Sequence, residues 1–516
     1  MKELGNRRWW ALGAITLAVL AVGLDGTVLS VAIPTLARKL RATESDLQWF
    51  SSGYLLVLAA AMLPAGLLGD RYGRRRVLLG SVALFGVGSV ACAFSSSPEA
   101  FIAARALLGI AGAGVIVMAL SALTVLFTEQ ERPRAVGVWA AANFVAFPIG
   151  PILGGWLLTH FWWGWVFLMN VPVAMVGLCA VLLLVPESRA PERPGLDPVG
   201  VAASSAGLVA VTYGLIEAGE NGWGSAGAIV PMLAGVVVLG AFVQWQRRLA
   251  SRPRGRPLVD LDLFRSPAFT WGVILAAVGI LAMVGVLFTM PQYFQGVLGT
   301  TAMGSGLRLL PLIGGLVLGV VPADRIAARV GPKVTVGLGF GLLVAGMATG
   351  ANTTLGSGDG FVAMWMALVG AGMGLAMATA ASAALRELSE ERSGMGSALM
   401  QAFQKIGAPF GAAILGSVLA SSYQARLQLA GLPAAAAKTV RESVFGGVAV
   451  AHQLGSPSLL RSVRSAFVQG MDVALVVSAG IALAGLVLAV AFLPRRAPIE
   501  GEEDAEEKEA RIVVAG

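Results

Sequence analysis

Four ionisable side chains sit in surroundings too apolar to hydrate them: Asp25, Arg105, Arg308 and Lys405. Each lies within an apolar run of roughly 20 residues, the length that crosses about 30 Å of hydrocarbon. Charge at that depth is costly, so such residues are functional by default. Asp25 is the only acid among them. A carboxyl group in a low-dielectric cavity beside a cation is poised between its charged and neutral forms, so it can load and release a proton. Arg105 lies about six residues into its run, roughly 9 Å deep, and Asp25 about nine residues from the same face, roughly 14 Å deep. The two can therefore meet. The plainer alternatives are a permanent structural ion pair for Asp25 and capping of helix-end carbonyls for Arg105. Arg308 and Lys405 are read as lining the same cavity, with pairing to an acid elsewhere as the alternative for Lys405. The four charges sum to +2. A cavity with that surplus suits neutral, zwitterionic or anionic amphiphiles at least as well as cationic ones.

The elements that must position these residues are membrane helices. Of 516 residues, 56% are hydrophobic and 13% charged, against about 25% charged in soluble domains. The pattern predicts an all-α membrane protein with 14 spans, over 12–34, 47–68, 77–95, 99–124, 134–157, 165–185, 199–217, 227–246, 268–290, 303–322, 334–350, 361–384, 395–420 and 470–493. The 67 glycines suit close helix approach. Between spans 2 and 3 lies GLLGDRYGRRR, residues 66–76: Asp70, a turn at Gly73, and Arg71, Arg74, Arg75 and Arg76. A short arginine-rich hairpin belongs on the cytoplasmic side. With an even number of spans, both termini are expected there too, in the cytoplasmic (inner) membrane. The exceptions to the charge bias are Arg38, Lys39 and Arg41 after span 1, and the basic residues of a long external loop, 421–469. Long loops cross with less regard to charge. The first run follows Lys2, Arg7 and Arg8 and is read as a retained helix, since it contains Asp25 and continues to Pro34.

Composition excludes several classes. The net charge of +8 comes from loop residues beside apolar runs and does not indicate nucleic-acid binding. Cys92 and Cys179 fall inside apolar runs, and His160 and His452 have no partners at metal-ligand spacing, so neither a disulfide framework nor a metal is expected. There is no Walker loop and no H-E-x-x-H, which argues against an ATP-driven pump and a zinc hydrolase. No cofactor is expected.

The chain also repeats at an offset of 258 residues. Gly73 falls on Gly331, the Gly112–Gly114 step on Gly370–Gly372, and Pro151 on Pro409. We expect two six-helix bundles, residues 1–190 and 261–495, with linkers and two inserted helices over 191–260 and an acidic tail from 496 to 516. Ala328 occupies the place of Asp70 in the second copy, and Phe50 and Phe147 stand where Arg308 and Lys405 would repeat.

The hairpin resembles the loop between helices 2 and 3 of the major facilitator superfamily, G-x-L-x-D-R-x-G-R-R, through Gly66, Leu68, Asp70, Arg71, Gly73, Arg74 and Arg75. Span 1 resembles the L-D-x-T-x-x-x-x-A-x-P motif of the 14-helix drug:proton antiporter branch through Asp25, Thr27, Ala32 and Pro34. RALLGIAGAG resembles the branch's R-x-x-x-G-x-x-G motif through Arg105, Gly109 and Gly112. Residues 147–155 resemble its G-x-x-x-G-P-x-x-G-G motif through Gly150, Pro151, Gly154 and Gly155, with Ala146 replacing the first glycine. WWGWVFLMNVP resembles W-R-W-x-F-x-x-N-x-P, with Gly164 in place of the arginine.

The resemblance implies that Asp25 carries the proton with Arg105 tuning it, that the hairpin around Asp70 closes an inner gate, and that span 5 moves in an exporter rather than an uptake carrier. It implies a proton-coupled exporter of hydrophobic small molecules working by alternating access, not an enzyme. Its partners would be substrate, protons and lipid, and it would act as a monomer. The alternatives are a dedicated exporter of one endogenous metabolite, a lipid-modifying membrane enzyme, and a sensor built on an inactive transporter.

Overall fold

The computed structural model describes residues 7–127, 131, 135, 146, 149–187, 197–252, 259, 261–386, 390–429 and 431–494. Among these the ordered elements are helices, without a strand. The first group comprises α1 (Arg7–Leu40), α2 (Glu44–Tyr72), α3 (Arg74–Ala93), α4 (Pro98–Leu126), α5 (149–160), α6 (Trp165–Leu168) and α7 (Asn170–Leu184). Two further helices follow, α8 (Pro198–Asn221) and α9 (Ala226–Ala250). The rest are α10 (Pro267–Gln292), α11 (Ala302–Arg308), α12 (Leu310–Val330), α13 (Pro332–Gly350), α14 (Asp359–Arg386), α15 (Glu390–Arg426), α16 (Ala434–Glu442), α17 (Val444–Gln453) and α18 (Pro457–Phe492). Eleven helices among the described residues are long and apolar enough to cross a membrane, making this a multi-pass membrane protein.

Local chemistry sets the helix ends. Thr43 caps α2: its hydroxyl accepts from Asp46 N, and Asp46 Oδ2 accepts from Thr43 N at 2.8 Å. Ser97 and Ser266 cap α4 and α10 just ahead of a proline. Gly73 ends α2 and starts α3 at φ +114°, and Gly331 does the same between α12 and α13 at φ +86°. Side chains rarely adopt that backbone region, so glycine makes each reversal possible without strain. Asp197 caps α8 and also accepts from Trp245 Nε1 (3.0 Å) and Gln246 Nε2 (2.7 Å), which ties α9 to α8.

α2 and α3 pack on α4, while α12 and α13 pack on α14. α8 lies along the seam between α2 and α15, where Ser417 Oγ bonds Leu215 O. Two expectations need adjustment. The apolar run 303–322 is broken at Leu309 into α11 and α12. The expected long loop 421–469 contains α16, α17 and the first turns of α18, which starts at Pro457 rather than near 470. Arg461 and Arg464 sit in the first turns of α18, because a helix can carry arginines in the turns that extend past the hydrocarbon.

Candidate functional site

α1, α4 and α7 bring Asp25, Arg105 and Asn170 together. Asp25 and Arg105 are paired, Nη1 to Oδ2 at 2.5 Å, and their side chains are 0% and 1% exposed. Arg105 Nε donates to Phe50 O at 3.2 Å, and its guanidinium lies over the Tyr54 ring, 4.1 Å from the centroid. Asn170 Nδ2 donates to Asp25 Oδ1 at 3.4 Å and to Ser89 Oγ at 3.3 Å. Buried charges persist only when paired and hydrogen-bonded, and here both members of the pair are.

A cavity of about 200 Å³ opens beside this cluster, between α1, α2, α4 and α5 on one side and α10, α12 and α15 on the other. Its polar wall is Thr27, Ser30, Ser51, Tyr54, Arg105 and Gln404, and the remainder is apolar, including Leu55, Ile116, Met283, Phe288, Leu312 and Leu316. A mostly apolar wall with a few convergent polar groups is the usual make-up of a small-molecule site.

The four intramembrane charges are not equivalent. Arg105 lines the cavity; Asp25 stands behind it and does not. Arg308 is also absent from the wall. It ends α11 and makes a two-bond pair with Asp359, Nε to Oδ1 at 3.2 Å and Nη2 to Oδ2 at 2.9 Å, with 34% of its side chain exposed. The break at Leu309 places it near a helix end, where a surface acid is within reach. The Lys405 side chain lies outside the described residues. The expected surplus of +2 is therefore reduced: the Asp25–Arg105 and Arg308–Asp359 pairs are each neutral.

α5 is wedged between two neighbours. A Cβ at Gly154 would come 2.7 Å from Val28 Cγ1 of α1, and one at Gly155 would come 2.8 Å from Ala302 O and Met303 Cα of α11. Gly150 faces Thr27, whose hydroxyl bonds Ala146 O at 3.1 Å. Pro151 borders the cavity. At the arginine hairpin, the Asp70 side chain lies outside the described residues. Arg75 N donates to Glu187 Oε1 at 3.3 Å, Arg76 Nε lies 3.6 Å from Glu187 Oε2, and Arg71 sits over the Tyr72 ring. Gly66 and Arg74 are helical on either side of Gly73. Glu187, just past α7, was not expected as the hairpin's partner. Asn170 appeared only as one letter of a motif, and Tyr54 gave no signal beyond its place in an apolar run. Among the described residues no His, Cys, Asp or Glu group is arranged to hold a metal ion.

Residues 15–412 match the family model described as Major Facilitator Superfamily. The chain is 34% identical to the multidrug efflux pump LfrA of Mycolicibacterium smegmatis, over 94% of this chain and 97% of that one. It is 32% identical to the tetracenomycin C resistance and export protein of Streptomyces glaucescens, over 98% and 94%. It is also 32% identical to the methyl viologen resistance protein SmvA of Salmonella typhimurium, over 94% and 97%. Among solved structures, a bacterial homologue of the lysosomal transporter Spinster, inward-facing and unoccupied, superimposes with a TM-score of 0.68 at 16% identity, covering 96% of this chain and 100% of that one. The D-xylose–proton symporter gives 0.60 at 14% identity, over 94% and 98%.

Proposed function

The chain belongs to the Major Facilitator Superfamily, and on that premise we propose that it exports lipophilic, neutral or cationic small molecules in exchange for protons. The observation that carries this reading is the buried Asp25–Arg105 pair, whose arginine lines an apolar cavity between two groups of helices. With Asp25 ionised, the pair is neutral and the cavity accepts a lipophile, cationic or not. A proton on Asp25 removes the charge that balances Arg105. Arg105 stays in place on Phe50 O and Tyr54, so the cavity becomes positive and a bound cation is repelled. A proton and a cationic substrate then compete for one charge balance, as exchange requires. Asn170 positions the Asp25 carboxylate.

In this reading the arginine hairpin and both termini are cytoplasmic, and the bundles 1–190 and 261–495 rock about the central cavity. Asp70 and the hairpin residues Gly66, Arg71, Gly73 and Arg74 form the inner gate, and the α5 face of Gly150, Pro151, Gly154 and Gly155 slides against α1 and α11. Lys405 is a candidate second cation of the cavity. The protein acts as a monomer. Support for export comes from the relatives, each named for resistance or efflux.

The test is transport by purified protein in liposomes. A pH gradient is imposed and a panel of cationic, neutral and anionic amphiphiles is screened with wild type and Asp25→Asn. Gradient-driven movement that the variant loses is expected. Equal movement by both removes Asp25 as the proton carrier, and no movement of any compound overturns the multidrug reading in favour of a dedicated exporter.

A further inference from the structure

Glu44 is the first residue of α2, ahead of the apolar run 47–68, at the end of the molecule opposite the arginine hairpin. It is only 8% exposed. It reaches across the seam between the two helix groups: Gln292 Nε2, at the last residue of α10, donates to Glu44 Oε1 at 3.3 Å. A second bond crosses the seam close by, from Gln295 Nε2 to Val31 O at 3.1 Å. Few charges surround Glu44. On its own helix, Asp46 is engaged by Thr43. From α15 it faces Tyr423, whose hydroxyl is committed to Val440 O at 2.8 Å. No cation among the described residues offsets its charge.

The partner amide supplies a second, independent observation. Gln292 Oε1 is buried and has no hydrogen-bond partner among the described residues. A carboxylate only accepts hydrogen bonds, so an ionised Glu44 leaves that oxygen unsatisfied. A neutral carboxyl has one O–H to give. A carboxylic acid and a primary amide are complementary, each donating one bond and accepting one. A protonated Glu44 has the donor that the Gln292 oxygen lacks, and an ionised Glu44 does not.

We propose that Glu44 is a second proton-binding site, distinct from Asp25, and that its proton holds this end of the molecule shut by closing a two-bond ring with Gln292. The inference rests on the topology proposed above only in naming this end the outer one. Burial pushes the Glu44 carboxyl up to about 7 from its ordinary 4.5. Opening the seam hydrates the group and returns it toward the ordinary value. The proton is therefore held more tightly in the closed state. Closure is fully favoured below the ordinary value and weakens as pH rises through about 7. The closed-to-open ratio changes by up to about 300-fold across that window. External acid would then return an emptied transporter toward its outer-closed state.

The experiment uses the full-length protein in lipid nanodiscs, with Cys92→Ala and Cys179→Ser, and spin labels at Ser96→Cys and Gly356→Cys. These two exposed positions lie in turns at the same end, one in each helix group. Pulsed electron resonance distances are recorded from about pH 4 to about pH 9 without substrate. Wild type is expected to show one short distance in acid and a longer one that grows as pH rises toward about 7 and levels off above it. Glu44→Gln keeps both bonds without a titrating proton and should stay short throughout. Gln292→Leu keeps the bulk but removes both bonds and should show the longer distance even in acid. A wild type that does not respond, or a Glu44→Gln protein that titrates like wild type, overturns the proposal. So does a response that Asp25→Asn removes and Glu44→Gln leaves. Because no substrate is present, failure here is separate from failure of the export reading, which the liposome assay reports.

Discussion

Asp25→Asn is the substitution from which most can be worked out. Arg105 Nη1 lies 2.5 Å from Asp25 Oδ2, both side chains are buried, and only Arg105 touches the cavity. Asparagine keeps the volume and one acceptor oxygen but loses the charge. A cation bound about 6 Å from the guanidinium then meets an unbalanced positive charge. At an effective dielectric constant of about 20 this costs about 3 kcal/mol, on the order of 100-fold in affinity. A neutral ligand of the same shape loses almost nothing. The assay is fluorescence titration of purified protein near pH 8, with a monovalent cationic dye such as ethidium and an uncharged analogue of similar size. The variant should bind the cation on the order of 100-fold more weakly and the neutral compound within about threefold of wild type. Unchanged cation affinity in Asp25→Asn would falsify the idea that one charge balance links proton and substrate.

Other substitutions test neighbouring parts of the argument. Tyr54→Leu removes the ring beneath Arg105 and should weaken cation transport about tenfold, from a cation–π loss of about 1–2 kcal/mol, while Tyr54→Phe should transport near the wild-type rate. Gly155→Ala places a methyl group 2.8 Å from Ala302 O; turnover in liposomes should drop several-fold with normal membrane yield, and an unchanged rate would mean that α5 and α11 part easily. Gly331→Ala imposes a side chain at φ +86° and should lower the thermal unfolding midpoint in detergent, with about 1–2 kcal/mol lost. Arg308→Ala breaks a half-exposed pair with Asp359 and should leave efflux at more than about half of wild type, since such pairs contribute about 0–1 kcal/mol; complete loss of transport would put Arg308 back in the cavity.

The residues differ in how far they could be read without coordinates. Run length and charge placement marked the membrane helices, because the bilayer demands about 20 apolar residues wherever the chain crosses. The reversals at Gly73 and Gly331 were visible because a tight turn of that backbone shape selects glycine. Asp25 announced itself by its cost: one acid in an apolar run needs a partner or a proton. Its partner was a matter of depth, which spacing along a helix supplies, so Arg105 could be named as compatible. Depth says nothing about azimuth, however, so Arg308 looked as eligible for the cavity until the break at Leu309 carried it to Asp359.

What only the tertiary structure decided are the contacts across the seams. Asn170 meeting Asp25, Tyr54 lying under Arg105, Glu187 holding the hairpin arginines and Gln292 reaching Glu44 each join residues distant in the chain. No period or local motif encodes such pairs. The apolar and polar pattern sets which stripe of a helix is buried, and the sequence by itself therefore determined a bundle of bilayer-length helices around one buried acid. Which side chain faces that acid, and which polar groups are left to meet where the two helix groups close, depends on how the helices are rotated and stacked against one another. That is settled by packing summed over the whole bundle rather than by any one stretch of chain.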